Sequence, residues 1–118
     1  MSDVEFKKGA TIFKEGDGGT HCYKIVSGSV EVQISGTGEE HWGKTMAVAT
    51  CWPGEFIGEM SALEASPRSA TVVALEDTRC KLFSADEFVS LLETDKELAL
   101  NYLKTLVHRL RQNNLSIS

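Results

Sequence analysis

The hydrophobic pattern of this chain changes period once. Up to residue 57 the apolar positions come in short runs punctuated by glycine, at Gly9, Gly16, Gly18, Gly19, Gly28, Gly36, Gly38, Gly43 and Gly54. Val30-Glu31-Val32-Gln33-Ile34 alternates strictly, which marks a strand with one buried face. Tyr23 and Ile25 are expected to pair antiparallel with Val30, Val32 and Ile34 around Ser27-Gly28, and the polar stretch 35–44 to form a hairpin loop. Two further strands are expected over 68–75 and 79–83. The spacing then becomes helical. Ser84 with Glu87 three residues on has the form of a capping box, followed by Phe88, Val89, Leu91 and Leu92. Asp95 is an N-cap candidate for a longer last helix. Short strands with frequent turns imply a sandwich or jelly roll. The expected fold is mainly β with C-terminal helices. A jelly-roll-like β-roll covers 1–83, a short helix and a longer last helix cover 84–118, and the whole of 1–118 forms one domain.

The chemistry concentrates between Gly54 and Ala74, in Gly-Glu-Phe-Ile-Gly-Glu-Met-Ser-Ala-Leu-Glu-Ala-Ser-Pro-Arg-Ser-Ala-Thr-Val-Val-Ala. Gly58 precedes about one turn of helix, whose first amides lack internal partners and suit an anion. Gly58 has no Cβ, so backbone and ligand can approach closely there. Pro67 fixes the chain before Arg68, whose planar fork matches phosphate oxygens. Ser69 adds a hydroxyl beside it. A carboxylate at Glu59 would repel a phosphate and makes sense against a donor such as a ribose hydroxyl, the role an acidic residue takes in dinucleotide sites. Glu59 and Arg68 could also neutralise one another across the site. Taken singly, these residues equally suit a surface ion pair and a turn glycine; their order together favours an anion that carries a sugar hydroxyl.

Phe-Ile-Gly-Glu-Met-Ser-Ala-Leu followed by Pro-Arg-Ser-Ala resembles the phosphate-binding cassette of cyclic nucleotide-binding domains, as found in bacterial catabolite activator proteins, cyclic nucleotide-dependent kinases and gated channels. Residues 9–17 resemble the family's first glycine-bounded strand pair, and 23–34 its central hairpin, so the resemblance spans nearly the whole chain. It implies a non-catalytic sensor for a 3′,5′-cyclic nucleotide, cyclic AMP favoured over cyclic GMP, with no other cofactor. By the same resemblance Glu59 takes the ribose 2′-hydroxyl and Arg68 the cyclic phosphate. Ser69 and the amides of Met60 and Ser61 complete the cradle. Val32, Val48, Ala49, Cys51 and Ala70 fall where the family's roll lines the ligand. Asn113 or Asn114 would read the base, although a solvated helix end is the plainer role for both. Ser69 does not decide between the two bases.

The chain departs from the family in two ways. The strand-like region begins almost at Met1, where the family usually has a helical segment, and the sequence given stops at Ser118, where catabolite activator proteins go on to a helix-turn-helix. The opening methionine suggests a natural start, and Ser118 gives no sign of a natural end. Net charge is −5, which argues against sequence-independent nucleic-acid binding and requires the anion site to act locally.

Leu103, Leu106, Leu110, Asn113 and Ile117 recur at alternating steps of three and four, as in a coiled-coil seam. Homodimerisation through this helix and packing on the chain's own roll are both expected readings, with binding passed on to an unidentified downstream protein. Cys22, Cys51 and Cys80 are odd in number and widely spaced, which suits free thiols in a reducing cytoplasm. No run approaches a membrane span. His21, His41 and His108 form no closely spaced pair for a cupin-like metal site, and three cysteines fall short of an iron–sulfur cluster. Trp42 and Trp52 suit loop or core anchoring more than base stacking. The alternative functional reading is a same-fold sensor of another small effector, or a ligand-free interaction domain.

Overall fold

The structure, a computed structural model, describes residues 2–35 and 44–112. Its elements in chain order are β1 (Ser2–Phe6), β2 (Thr11–Phe13), β3 (His21–Ser27), β4 (Val30–Ser35), β5 (Thr45–Cys51), β6 (Phe56–Ile57), α1 (Glu59–Glu64), β7 (Thr71–Ala74), β8 (Thr78–Ser84), α2 (Ala85–Thr94) and α3 (Lys96–Gln112). Two four-stranded antiparallel sheets face each other, ordered β1-β8-β3-β6 and β2-β7-β4-β5. Ile25, Val30, Cys51, Ile57, Val72 and Cys80 fill the space between them. A second cluster of Cys22, Phe56, Ala62, Phe83 and Phe88 joins one end of the roll to α2 and α3. The mainly β roll with terminal helices is therefore the observed fold.

The expected hairpin of residues 23–34 does not form. β3 lies in one sheet and β4 in the other, so Ser27-Gly28-Ser29 is a corner between sheets. Gly28 makes that corner with φ +92°, packed so closely on Asp77 and Thr78 that a methyl there would collide with both. Buried Ser29 donates its hydroxyl to Glu76 at 2.7 Å, which holds the corner against the β7–β8 turn. β4 pairs instead with β5 and β7. Its alternation also runs out of the core: Val30 is fully buried, Val32 half-buried and Ile34 exposed.

The strand expected from Arg68 begins only at Thr71. The preceding residues are tied to the β2–β3 loop: Gly16 N–H donates to the Arg68 carbonyl and Arg68 N–H to the Asp17 carbonyl, both at 2.8 Å. The capping box is present, with Glu87 N–H on Ser84 Oγ at 3.1 Å and Ser84 N–H on the Glu87 carboxylate at 2.9 Å. Asp95 caps α3 through the amide of Leu98 at 3.0 Å.

In α3, Leu98, Tyr102, Thr105, Leu106 and Arg109 are half-buried, while Leu100, Leu103, Val107 and Leu110 are exposed. The exposed seam thus carries Val107 where the sequence pattern suggested Leu106. Asn113 and Ile117, the continuation of that pattern, lie outside the described residues. No described helix is long and apolar enough to cross a membrane.

Candidate functional site

Helix α1 starts from Gly58, which sits in the left-handed region at φ +79°, a conformation natural only to glycine. The helix buries Glu59 and Ser61 and leaves Met60 exposed. Ser61 Oγ donates to the Gly58 carbonyl at 3.1 Å. Arg68 stands in the connection from α1 to β7, held by its backbone to the β2–β3 loop, and is only 6% exposed. Its Nη1 donates to the Gly58 carbonyl at 3.0 Å and to Ser61 Oγ at 2.7 Å. Among the described residues its buried Nε has no partner, so a strong donor stands ready for an acceptor. Burial holds the guanidinium below its ordinary pKa, and Tyr23, Cys22, Asp17 and Glu59 act the other way.

Gly58, Glu59, Met60, Ser61, Arg68, Ser69, Ala70, Val32 and Cys51 border one cavity of about 100 Å³, together with Phe13, Phe56 and Arg109. Val48 and Ala49 are not on its wall. Ala49 pairs with Val32 across β4–β5, and Val48 is the extra residue where that register shifts. Asn113 and Asn114 lie outside the described residues. Exposed Trp52 stands at the turn before β6, its amide on the Glu55 carboxylate at 2.7 Å.

Glu59 and Arg68 are not ion-paired, contrary to the expectation that they neutralise each other. The cation of Glu59 comes from α3: Arg109 Nη1 lies 3.7 Å from Glu59 Oε1. Arg109 Nη2 reaches Glu55 Oε1 at 3.1 Å and Cys51 Sγ at 3.3 Å. Tyr102, about two helical turns before Arg109, also directs its hydroxyl to Glu59. Burial raises the Glu59 pKa, and its own backbone amide, Arg109 and the Tyr102 hydroxyl oppose that rise. Burial works against the Arg109 charge, but Cys51, Glu59 and Glu55 outweigh it and its pKa rises. Burial pushes the Cys51 thiol up to about 11 despite Arg109, so it stays protonated.

The residues that sequence reasoning missed are thus Arg109 and Tyr102. Both fall at helical spacing on the same face as Leu98, but in sequence nothing separates Arg109 from Arg111, its neighbour across Leu110. Among the described residues no three metal-ligating side chains cluster.

The family model for the cyclic nucleotide-binding domain matches residues 3–95. The chain belongs to that family. The cyclic AMP receptor protein of Thermus thermophilus is 33% identical over 112 residues, covering 95% of this chain and 50% of that protein. The catabolite activator protein structure from Thermus thermophilus superposes with TM-score 0.78 at 32% identity, covering 97% of this chain and 52% of that one. The cAMP-bound form of an EAL enzyme gives TM-score 0.69 at 28% identity, over 97% of this chain and 29% of that one. The chain spans about half the length, or less, of these relatives.

Proposed function

We propose that this chain senses a 3′,5′-cyclic nucleotide, cyclic AMP in preference to cyclic GMP, and passes occupancy on through α3. The observation that carries this reading is the convergence of Arg68, Ser61, Glu59 and Arg109 on one cavity. On this reading the arginine, with its unpartnered buried donor, takes the phosphate, and the α1 carboxylate on the same cavity takes the ribose. The preference for cyclic AMP draws support from the relative named a cyclic AMP receptor protein and from the cAMP-bound EAL enzyme. That enzyme was also solved with cyclic GMP, so the base is a matter for experiment.

The route to α3 follows from the contacts. A cavity of about 100 Å³ is well below the ~300 Å³ where small-molecule sites begin. The nucleotide must therefore widen it, and Arg109 is the movable wall. The same side chain also borders a larger recess of about 300 Å³ between α3 and the roll, lined by Lys24, Glu55, Leu98 and Tyr102. Displacing Arg109 shifts α3 and alters its exposed apolar stripe, through which we expect the chain to pair with a second copy. Ligand and helix position then share one equilibrium.

Calorimetric titration with cyclic AMP and cyclic GMP, alongside Arg68→Ala, tests the reading. Binding is expected in the wild type and a loss of at least a hundredfold in Arg68→Ala, about the worth of a charge-assisted contact plus an unpaired anion. Full affinity in that variant, or no binding by the wild type, would reject it.

A further inference from the structure

We propose that Phe13 is a positioning residue for the phosphate-binding guanidinium of Arg68, which it clamps against the bare backbone of Gly19. The inference rests on the reading of Arg68 as the phosphate ligand. The Arg68 Cζ stands 4.3 Å from the centre of the Phe13 ring. On its Nε–Nη2 edge lies Gly19, where a methyl would collide with Nε, Nη2 and Cζ. Phe13 is itself braced by stacking on Tyr23, with centroids 6.2 Å apart and planes 24° from parallel.

Hydrogen bonds alone do not fix the fork. Among the described residues its side-chain hydrogen bonds run from Nη1, to the Gly58 carbonyl and Ser61 Oγ. Nε is buried, with no acceptor among the described residues. Asp17 and Glu59 act on the guanidinium at a distance, and among the described residues no carboxylate pairs with it. A guanidinium tethered through Cδ–Nε and hydrogen-bonded at Nη1 can still tilt about the line joining those two points. The ring and the glycine remove that tilt, leaving the Nε–Nη2 edge oriented before any ligand arrives. A desolvated cation over an aromatic face is attracted by the ring's quadrupole, which an aliphatic side chain of similar bulk does not supply. Gly19 does not have a positive φ, so its role is space rather than conformation.

The test compares wild type, Phe13→Leu, Phe13→Tyr and Gly19→Ala. Affinity is measured calorimetrically for cyclic AMP and for the two phosphorothioate diastereomers, in which sulfur replaces one or the other exocyclic oxygen. The Arg68 Nε–H resonance of the free protein, assigned with Arg68→Lys, is followed by NMR. In the wild type that resonance is expected to carry a ring-current shift, kept in Phe13→Tyr and lost in Phe13→Leu. Phe13→Leu is expected to weaken cyclic AMP about tenfold and to narrow the affinity ratio of the two diastereomers, because a wandering fork no longer favours one oxygen. Phe13→Tyr should restore both. Gly19→Ala, whose methyl would collide with the guanidinium and displace it, should match Phe13→Leu and serves where that variant does not fold. Wild-type affinity and diastereomer ratio in both Phe13→Leu and Gly19→Ala would overturn the proposal, as would an equal loss in Phe13→Tyr. If the wild type binds no cyclic nucleotide, the functional reading fails on its own. The NMR arm then still decides, since an unshifted Arg68 resonance in the wild type refutes the clamp.

Discussion

Arg109 Nη1 lies 3.7 Å from Glu59 Oε1, so the last helix supplies the cation for a carboxylate that the cassette buries. The pair joins α1 to α3, elements separated in sequence by two strands and a helix. Arg109 keeps about a quarter of its side-chain surface, so the full ~3–5 kcal/mol for breaking a buried pair does not apply. Arg109→Gln is expected to cost about 1–2 kcal/mol of stability, since Glu55 also loses its partner. It should also raise the Glu59 pKa further, because the first opposing side-chain charge is gone. Nucleotide affinity in the variant should then fall with decreasing pH sooner than in the wild type. Superimposable pH profiles in calorimetric titrations would show that Arg109 does not govern Glu59.

Glu59→Gln separates ribose recognition from electrostatics. The amide retains one acceptor but not the charge, and is expected to relax discrimination against a 2′-deoxy ligand by about tenfold, the difference between a charged and a neutral hydrogen bond. The folded-state pKa of Glu59 is raised above 4.5, chiefly by burial. Its contribution to stability is therefore complete below 4.5 and is lost as pH rises through the folded value. The Gln variant should gain on the wild type across that window. Thermal melts at stepped pH check the sign, and a wild-type advantage that grows with pH would contradict it.

The cassette was legible in the sequence because its residues are contiguous. Gly58, Glu59, Ser61 and Arg68 sit within one stretch, and the backbone turn that Gly58 makes carries them to a single cavity. The capping box at Ser84 and Glu87 was equally local. What depended on the third dimension was harder to see. The strict alternation of 30–34 identified a strand but not its neighbour, and the partner of β4 is set by the corner at Gly28, packed against Thr78 some fifty residues on. Heptad spacing alone could not separate Leu106 from Val107, since both lie near the boundary between the inward and outward faces of α3. Arg109 was silent for a related reason: in sequence it is one of two arginines flanking Leu110, and only the packing of Tyr102 on Phe56 and Phe88 turns it inward.

The capping box has its own pH signature. Glu87 accepts from the Ser84 amide, the largest of the interactions that hold its carboxyl below an ordinary 4.5. A depressed folded-state pKa contributes stability above 4.5, and that contribution is lost as pH falls toward 2. Ser84→Ala should cost about 1 kcal/mol near neutrality, the usual worth of an N-cap. Glu87→Gln should lie below the wild type at neutral pH and converge on it in acid. Denaturant titrations at neutral pH and at pH 3 test this; a constant gap between the two proteins would place the stabilisation elsewhere.

The exposed stripe of α3 tests both the register of the helix and its proposed pairing. Leu100, Leu103, Val107 and Leu110 are 52%, 58%, 51% and 41% exposed, whereas Leu106 is half-buried beside Thr105 and Tyr102. Leu100, Leu103, Val107 and Leu110 follow the three-four-three steps of a short coiled-coil seam. A second copy would cover apolar surface that a lone chain leaves in water, at about 25 cal/mol per Å². Val107→Glu buries a charge in that pairing at a position exposed in the single chain. It should abolish self-association and leave the unfolding midpoint of the single chain unchanged. Leu106→Ala should do the reverse, lowering stability by about 1–2 kcal/mol, less than a fully buried leucine loses, while keeping the association constant. Sedimentation equilibrium over a range of concentrations, read with thermal melts, distinguishes the two. A wild type that stays monomeric throughout would remove the second copy from the proposal. Loss of association in Leu106→Ala with none in Val107→Glu would mean that α3 is rotated by one position when it pairs.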